Sequence, residues 1–289
     1  DNHEYAVEKL GDDYYIYTNW NATNFRIMKV SADKTSDKKA WTDVIVHRDD
    51  VYLQDLTAFT DKLVIKEKEN GETRLRVLTL SSEESITLSF DDPVFSAHIA
   101  SNPEVKSDYV RIAYSSMTTP SSVYDFNLKT GERKLLKQDE VLGGFSSLNY
   151  KSERIFIEAR DGKKIPVSIV YRKDMFEKDG SNPLFQYAYG SYGSTIEPSF
   201  SGPRLSLLDR GVVYAIAHIR GSQMMGRPWY EDGKLFNKKN SFYDFIDVTK
   251  GLTAEKYGHP NKIYAMGGSA GGLLMGGVLN MAPELYLGV

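Results

Sequence analysis

One segment restricts the fold more than any other: KIYAMGGSAGGLLMGGV, residues 262–278. A short apolar run from Ile263 to Met266 leads into Gly267-Gly268-Ser269-Ala270-Gly271, and a second apolar run of helical character follows. Gly-x-Ser-x-Gly in that setting is the pattern of a serine held on a sharp strand-to-helix turn. The spacing has a physical reason. The serine must adopt strained backbone angles for its hydroxyl to stand clear, and a glycine two residues to either side lets strand and helix approach closely. The Ala270 amide then lies at a helix start, where it can face a developing oxyanion. A phosphate loop would need Gly-Lys-Ser/Thr, and a dinucleotide loop would need glycine where Ser269 stands. A glycine-rich packing turn is the remaining alternative.

The surroundings fit an α/β arrangement. Residues 155–172 read as a hairpin around Asp161-Gly162, and 183–190 and 212–221 as buried strands. Residues 241–258 place Phe242, Phe245, Ile246, Val248 and Leu252 at helical spacing. Apolar strands alternating with helices indicate a parallel sheet.

The first half has another rhythm. Residues 14–30, 63–80 and 109–128 each consist of an alternating strand, a polar turn and a second alternating strand. Their turns carry Asn and Thr, then Asn70-Gly71, then Pro120-Ser121. The starts at Tyr15, Leu63 and Val110 are about one four-stranded propeller blade apart. A β-sandwich with fortuitous spacing is the rival reading. About three blades are visible and a closed propeller needs at least four, so further blades are expected upstream.

Composition removes other classes. The formal net charge is -3, from 36 basic and 39 acidic side chains, which gives no electrostatic case for nucleic acid. No apolar run reaches the roughly 18 residues of a membrane span, and the N-terminus has no apolar signal core. The absence of cysteine excludes disulfides, thiolate zinc sites and thiol nucleophiles, and fits a cytoplasmic location. No metal-ligand spacing stands out, so no metal or organic cofactor is expected.

A serine nucleophile needs a base, usually a histidine oriented by a carboxylate. In hydrolases with this turn the order is Ser, then Asp or Glu, then His. Residues 270–289 contain neither His nor Asp. His3, His47, His98, His218 and His259 all lie upstream. His218 reads as a packed or loop-anchoring residue at a strand end, and His259 as an exposed turn residue. Acid and base are therefore expected beyond Val289.

Several motifs point to one family. ARDGKKIPVSIVYR (159–172), YAYGSYG (187–193), RLSLLDRG (204–211), AHIRG (217–221), GRPWYEDGK (226–234) and AMGGSAGGLLMG (265–276) resemble the prolyl oligopeptidase family, in its oligopeptidase B branch. The resemblance implies a seven-bladed propeller capping an α/β-hydrolase domain. Residues 1–145 would be C-terminal blades and residues 146–289 the N-terminal part of the hydrolase, including the nucleophile turn. It implies serine peptidase activity on short peptides, with cleavage after Lys or Arg. Residue by residue, Ser269 matches the nucleophile. Tyr189 matches a tyrosine whose hydroxyl completes an oxyanion hole with the amide of Ala270. Tyr192 matches an aromatic lining the pocket, and Glu197 an acidic position that can face a basic substrate side chain. By themselves, Tyr189 would read as a strand-end core aromatic and Glu197 as a solvated loop charge. Two positions depart from the pattern: Met224 stands where glutamate is common, and Ser199 where a second acid often follows. A different hydrolase with the same turn, such as an esterase, and a silent propeller binding module are the rival functions.

Overall fold

The computed structural model describes residues 2–289. Three four-stranded antiparallel sheets come first, each a simple meander. They run from Tyr5–Leu10 to Thr42–Ile45, from Val51–Phe59 to Ser85–Leu88, and from Phe95–Ile99 to Arg133–Gln138. The three alternating segments legible in the sequence are the two inner strands of each sheet. Strand Lys62–Glu69, in the middle sheet, shows why these are blades and not a sandwich. Leu63 and Ile65 pack with Tyr15, Phe25 and Ile27 of the first sheet. Val64, on the opposite face, packs with Val110, Ile112 and Phe126 of the third. Period-two alternation thus sends neighbouring residues to different sheets, and both faces are covered. Each such side chain contributes about 1.5–3 kcal/mol by burial. The middle hairpin closes on Asn70 and Gly71 with φ of 52° and 76°, between the paired residues Glu69 and Glu72. Two positive φ values in a two-residue loop match the right-handed strand twist.

The second half is built on a five-stranded sheet of β1 (Tyr150–Glu158), β2 (Lys164–Arg172), β3 (Leu184–Tyr187), β4 (Val213–Ala217) and β5 (Ile263–Met266), in the order β1-β2-β4-β3-β5. Pairing is parallel only among β4, β3 and β5. β2 pairs antiparallel with both β1 and β4, so the sheet is mixed and not wholly parallel. For β1 and β2 the reason is length: residues 159–163 can return the chain only as a hairpin, whereas a parallel crossover needs a dozen or more residues. Helix α1 (Gly202–Leu208) and helix α2 (Arg227–Glu231) each carry proline in the first turn, Pro203 and Pro228. Helix α3 (Lys239–Ala254) buries Phe245, Ile246, Val248 and Leu252 in the core that also holds Ile165, Val167, Leu184 and Ala215. Helix α4 (Ala270–Met281) adds Leu274, Met275 and Val278 to it.

Blades and the five-stranded sheet meet through polar contacts between residues far apart in the chain. Tyr52 donates its hydroxyl hydrogen to Gln223 Oε1 at 2.9 Å, and Arg227 N donates to Asn24 Oδ1 at 2.9 Å. Phe200 N donates to Ser115 Oγ at 2.9 Å. Met224, at the position where the family pattern favours glutamate, is fully buried beneath the Asn70-Gly71 turn.

Candidate active site

β5 ends at Met266 and α4 begins at Ala270, so the turn between them is Gly267-Gly268-Ser269. Ser269 has φ 56° and ψ -119°. Positive φ in a non-glycine residue costs of order 1–3 kcal/mol, and such strain persists only where packing dictates it. The packing is visible in the glycines. A Cβ on Gly267 would lie 2.8 Å from the Gly271 carbonyl carbon and closer still to its oxygen, so strand and helix cross with no room for a side chain. Gly271 N donates to Gly268 O at 2.7 Å and Gly272 N to Ser269 O at 2.8 Å. The Ala270 amide, at the first helical position, is among those a helix start leaves without an intrahelical acceptor. Ser269 itself is exposed.

The first turn of α4 backs onto the residues that follow β3. A Cβ at Gly271 would sit 3.1 Å from Ala188 O and 3.6 Å from Tyr189 Cδ2. Tyr189 is half-buried, and its ring centroid lies 6.5 Å from that of Tyr192. Tyr192 is 79% exposed with φ 59°. Between them the chain turns at Gly190, φ 68°, whose Cα is pressed on Ile219. Gly221 faces the Gly190 carbonyl so closely that only glycine fits there. Gly193 N donates to Gly221 O at 3.0 Å. The structure therefore brings Ser269, Ala270 and Tyr189 onto adjoining elements, with Tyr192 at the open rim.

Glu197 is not a solvated loop charge. Its carboxylate pairs with Lys68 Nζ of the middle blade at 3.0 Å, with side chains 24% and 1% exposed respectively. Lys68 also donates to Thr73 Oγ1 at 3.0 Å. Burial lowers the Lys68 ammonium from its ordinary range, and Glu197 opposes that shift. Arg154 lies alongside, donating to Gly71 O at 3.3 Å; burial lowers it to about 10, against the pull of Glu197 and Glu72.

Neither histidine of the second half reaches the turn. His218 is buried and shares a 2.6 Å hydrogen bond with Ser168 Oγ. Burial holds its pKa well below the ordinary value, with Arg154 and Lys68 acting in the same direction. His259 is half-buried and accepts from Asn261 N at 3.1 Å. The loop after β4 is fixed by Arg220, whose backbone N and guanidinium both donate to the buried Asp244 carboxylate, with Asp161 on the outer side at 2.6 Å. Sequence reasoning missed the Lys68–Glu197 and Arg220–Asp244 pairs. It also missed Lys238, which holds the turn after Tyr189.

Comparison with known proteins gives a consistent result. A family model described as prolyl oligopeptidase, N-terminal beta-propeller domain, matches residues 1–139, and one described as prolyl oligopeptidase family matches residues 198–289. Dipeptidyl aminopeptidase BI of Pseudoxanthomonas mexicana is 51% identical over 98% of this chain and 39% of its own length. Protease 2 of Moraxella lacunata is 39% identical over 98% of the chain and 40% of its own. The structure of oligopeptidase B from Leishmania major superposes with a TM-score of 0.91 at 35% identity, over 99% of this chain and 41% of that one. Oligopeptidase B from Trypanosoma brucei with covalently bound antipain, in a closed form, also gives 0.91, at 38% identity over 100% and 42%. The chain thus spans about two fifths of the length of these relatives. Blades, mixed sheet, strained serine turn and both family models agree: the chain belongs to the prolyl oligopeptidase family.

Proposed function

We propose that the protein containing this chain is a serine oligopeptidase that hydrolyses short peptides through an acyl-enzyme on Ser269. The observation that carries the reading is the backbone of Ser269, forced to positive φ by the Gly267–Gly271 crossing with α4 backed onto Tyr189. Ser269 Oγ attacks the scissile carbonyl. The Ala270 amide and the Tyr189 hydroxyl donate to the oxyanion, where one such donor is worth about 10²–10³ in rate. A histidine from the longer protein takes the serine proton and returns it to the leaving amine, oriented by a carboxylate. Tyr192 lines the substrate side. Glu197 is the acidic position that the family resemblance places near a cationic substrate side chain; because Lys68 already meets both of its oxygens, cleavage after Lys or Arg rests on that resemblance. A domain division near residue 145 and a cytoplasmic location belong to the same proposal. No helix among the described residues is long and apolar enough to cross a membrane.

A second reading has a specific observation behind it. The relative at 51% identity is named a dipeptidyl aminopeptidase, so release of dipeptides from free N-termini is the alternative product pattern. The complete polypeptide labelled with a fluorophosphonate tests the nucleophile. Loss of labelling in Ser269→Ala is expected, and equal labelling of the two proteins sinks the assignment. Internally quenched arginyl peptides and dipeptidyl coumarylamides, compared by kcat/KM, separate the two product patterns.

A further inference from the structure

Lys238 is placed where a cation is poorly tolerated. It occupies the residue before α3, next to Lys239, at the helix end that favours negative charge. Among the described residues no carboxylate meets it. Its ammonium donates to Gly190 O, to Ser191 Oγ at 2.8 Å and to Ser241 Oγ at 3.2 Å. Three donors therefore meet three neutral acceptors, two of them in the turn directly after Tyr189. The charged neighbours on the packed elements are committed elsewhere: Arg220 to Asp244 and Asp161, and Lys234 to Glu231. Burial by itself pulls Lys238 down to about 8, which is the expected behaviour of a desolvated, unpaired ammonium. The other side of the turn is fixed by contact: Gly190 is wedged between Ile219 and Gly221, and Ser241 Oγ donates to Arg220 O at 2.7 Å.

We propose that Lys238 is a positioning residue for the reaction: its ammonium clamps the Gly190-Ser191 turn and so holds the Tyr189 hydroxyl on the oxyanion. The inference rests on the reading of Tyr189 given above. Lys238 touches neither Ser269 nor the α4 amides, and this sets the test. In the complete polypeptide, Lys238→Met is expected to lower kcat about tenfold to thirtyfold with KM changed less than twofold, because a displaced donor forfeits part of the 10²–10³ that a deleted one costs. In a Tyr189→Phe background the same substitution is expected to change kcat less than twofold, since groups acting as a unit are not additive. Equal losses in both backgrounds would mean that Lys238 only supports the fold, and no loss in the wild-type background would mean that it positions nothing; either overturns the proposal. If Lys238→Met does not accumulate as folded protein by thermal melt, Ser191→Ala reads the same cycle. It removes one acceptor, with about a threefold loss expected in the wild-type background and none with Tyr189→Phe. Two controls isolate the underlying reading. Turnover by Ser269→Ala, or wild-type kcat in Tyr189→Phe, overturns that reading and this inference together. Inactive Ser269→Ala and impaired Tyr189→Phe beside wild-type-like Lys238→Met overturn this inference alone.

Discussion

Gly267→Ala is the smallest change that should disable the proposed site. The new methyl would stand 2.8 Å from the Gly271 carbonyl carbon and nearer still to the oxygen, about 1 Å inside ordinary van der Waals distance. Both obstructing atoms are backbone, so no side chain can swing away. The backbone of Gly267 is not in the left-handed region, so the cost is contact and not strain. Overpacking of this kind costs about 1–3 kcal/mol. Relief requires strand and helix to part by about 1 Å, and a misplacement of that size in a reacting group lowers the rate about a hundredfold. The assay is the second-order rate of fluorophosphonate labelling in the complete polypeptide, alongside peptide hydrolysis. Gly272→Ala is the matched control. Nothing lies within 4 Å of a Cβ there, and alanine in a helix is favoured by about 1 kcal/mol over glycine. Wild-type labelling by Gly272→Ala with about a hundredfold loss in Gly267→Ala is expected. Labelling of Gly267→Ala within threefold of wild type would refute the argument that this crossing holds the serine.

Two further outcomes follow from the buried charges. Glu197→Gln leaves Lys68, 1% exposed, without its counter-ion, and should destabilise the junction of the blades with the second half by about 3 kcal/mol, the low end for a broken buried pair because Glu197 is partly exposed. Urea unfolding followed at a blade tryptophan measures this, and an unchanged midpoint would show the pair to be dispensable. His218 titrates below its ordinary 6.5 in the folded state because of burial, so the unfolded chain binds the extra proton first. Its contribution to stability is complete above pH 6.5 and is lost as pH falls below that value. The urea midpoint of His218→Gln should therefore fall less between pH 7.5 and pH 5 than that of the wild type, and parallel falls would count against a neutral buried imidazole.

What could be read from the sequence was what is local. The strained serine needs only five consecutive residues to announce it, and the inner blade hairpins need only period-two alternation closed by a turn such as Asn70-Gly71. α1 and α2 were not legible because each is under two turns and has no apolar stripe to reveal it. The β1–β2 hairpin was legible in the sequence, but the antiparallel pairing of β2 with β4 was not, because apolar strands look alike in either direction. The polar junctions were beyond reach for a different reason: their partners are chosen by docking. Glu197 carries no local sign that Lys68, 129 residues earlier, will neutralise it, and Gln223 none that Tyr52 will meet it.

Those distant pairs change what the blades are for. Gln223 lies against Gly193, 3.1 Å from where a Cβ would be, while accepting from the Tyr52 hydroxyl. Gly193 in turn is bonded to Gly221, and Gly221 abuts the Gly190 carbonyl that Lys238 grips. A continuous run of contacts therefore joins the middle blade to the turn that carries Tyr189. The links from Gly193 to Gly190 are a backbone hydrogen bond and a glycine with no room for a side chain, while the link from Tyr52 to Gly193 passes through the Gln223 side chain. The blades in this chain are packed against the same backbone segment that presents the phenol, and the geometry there is set from both sides.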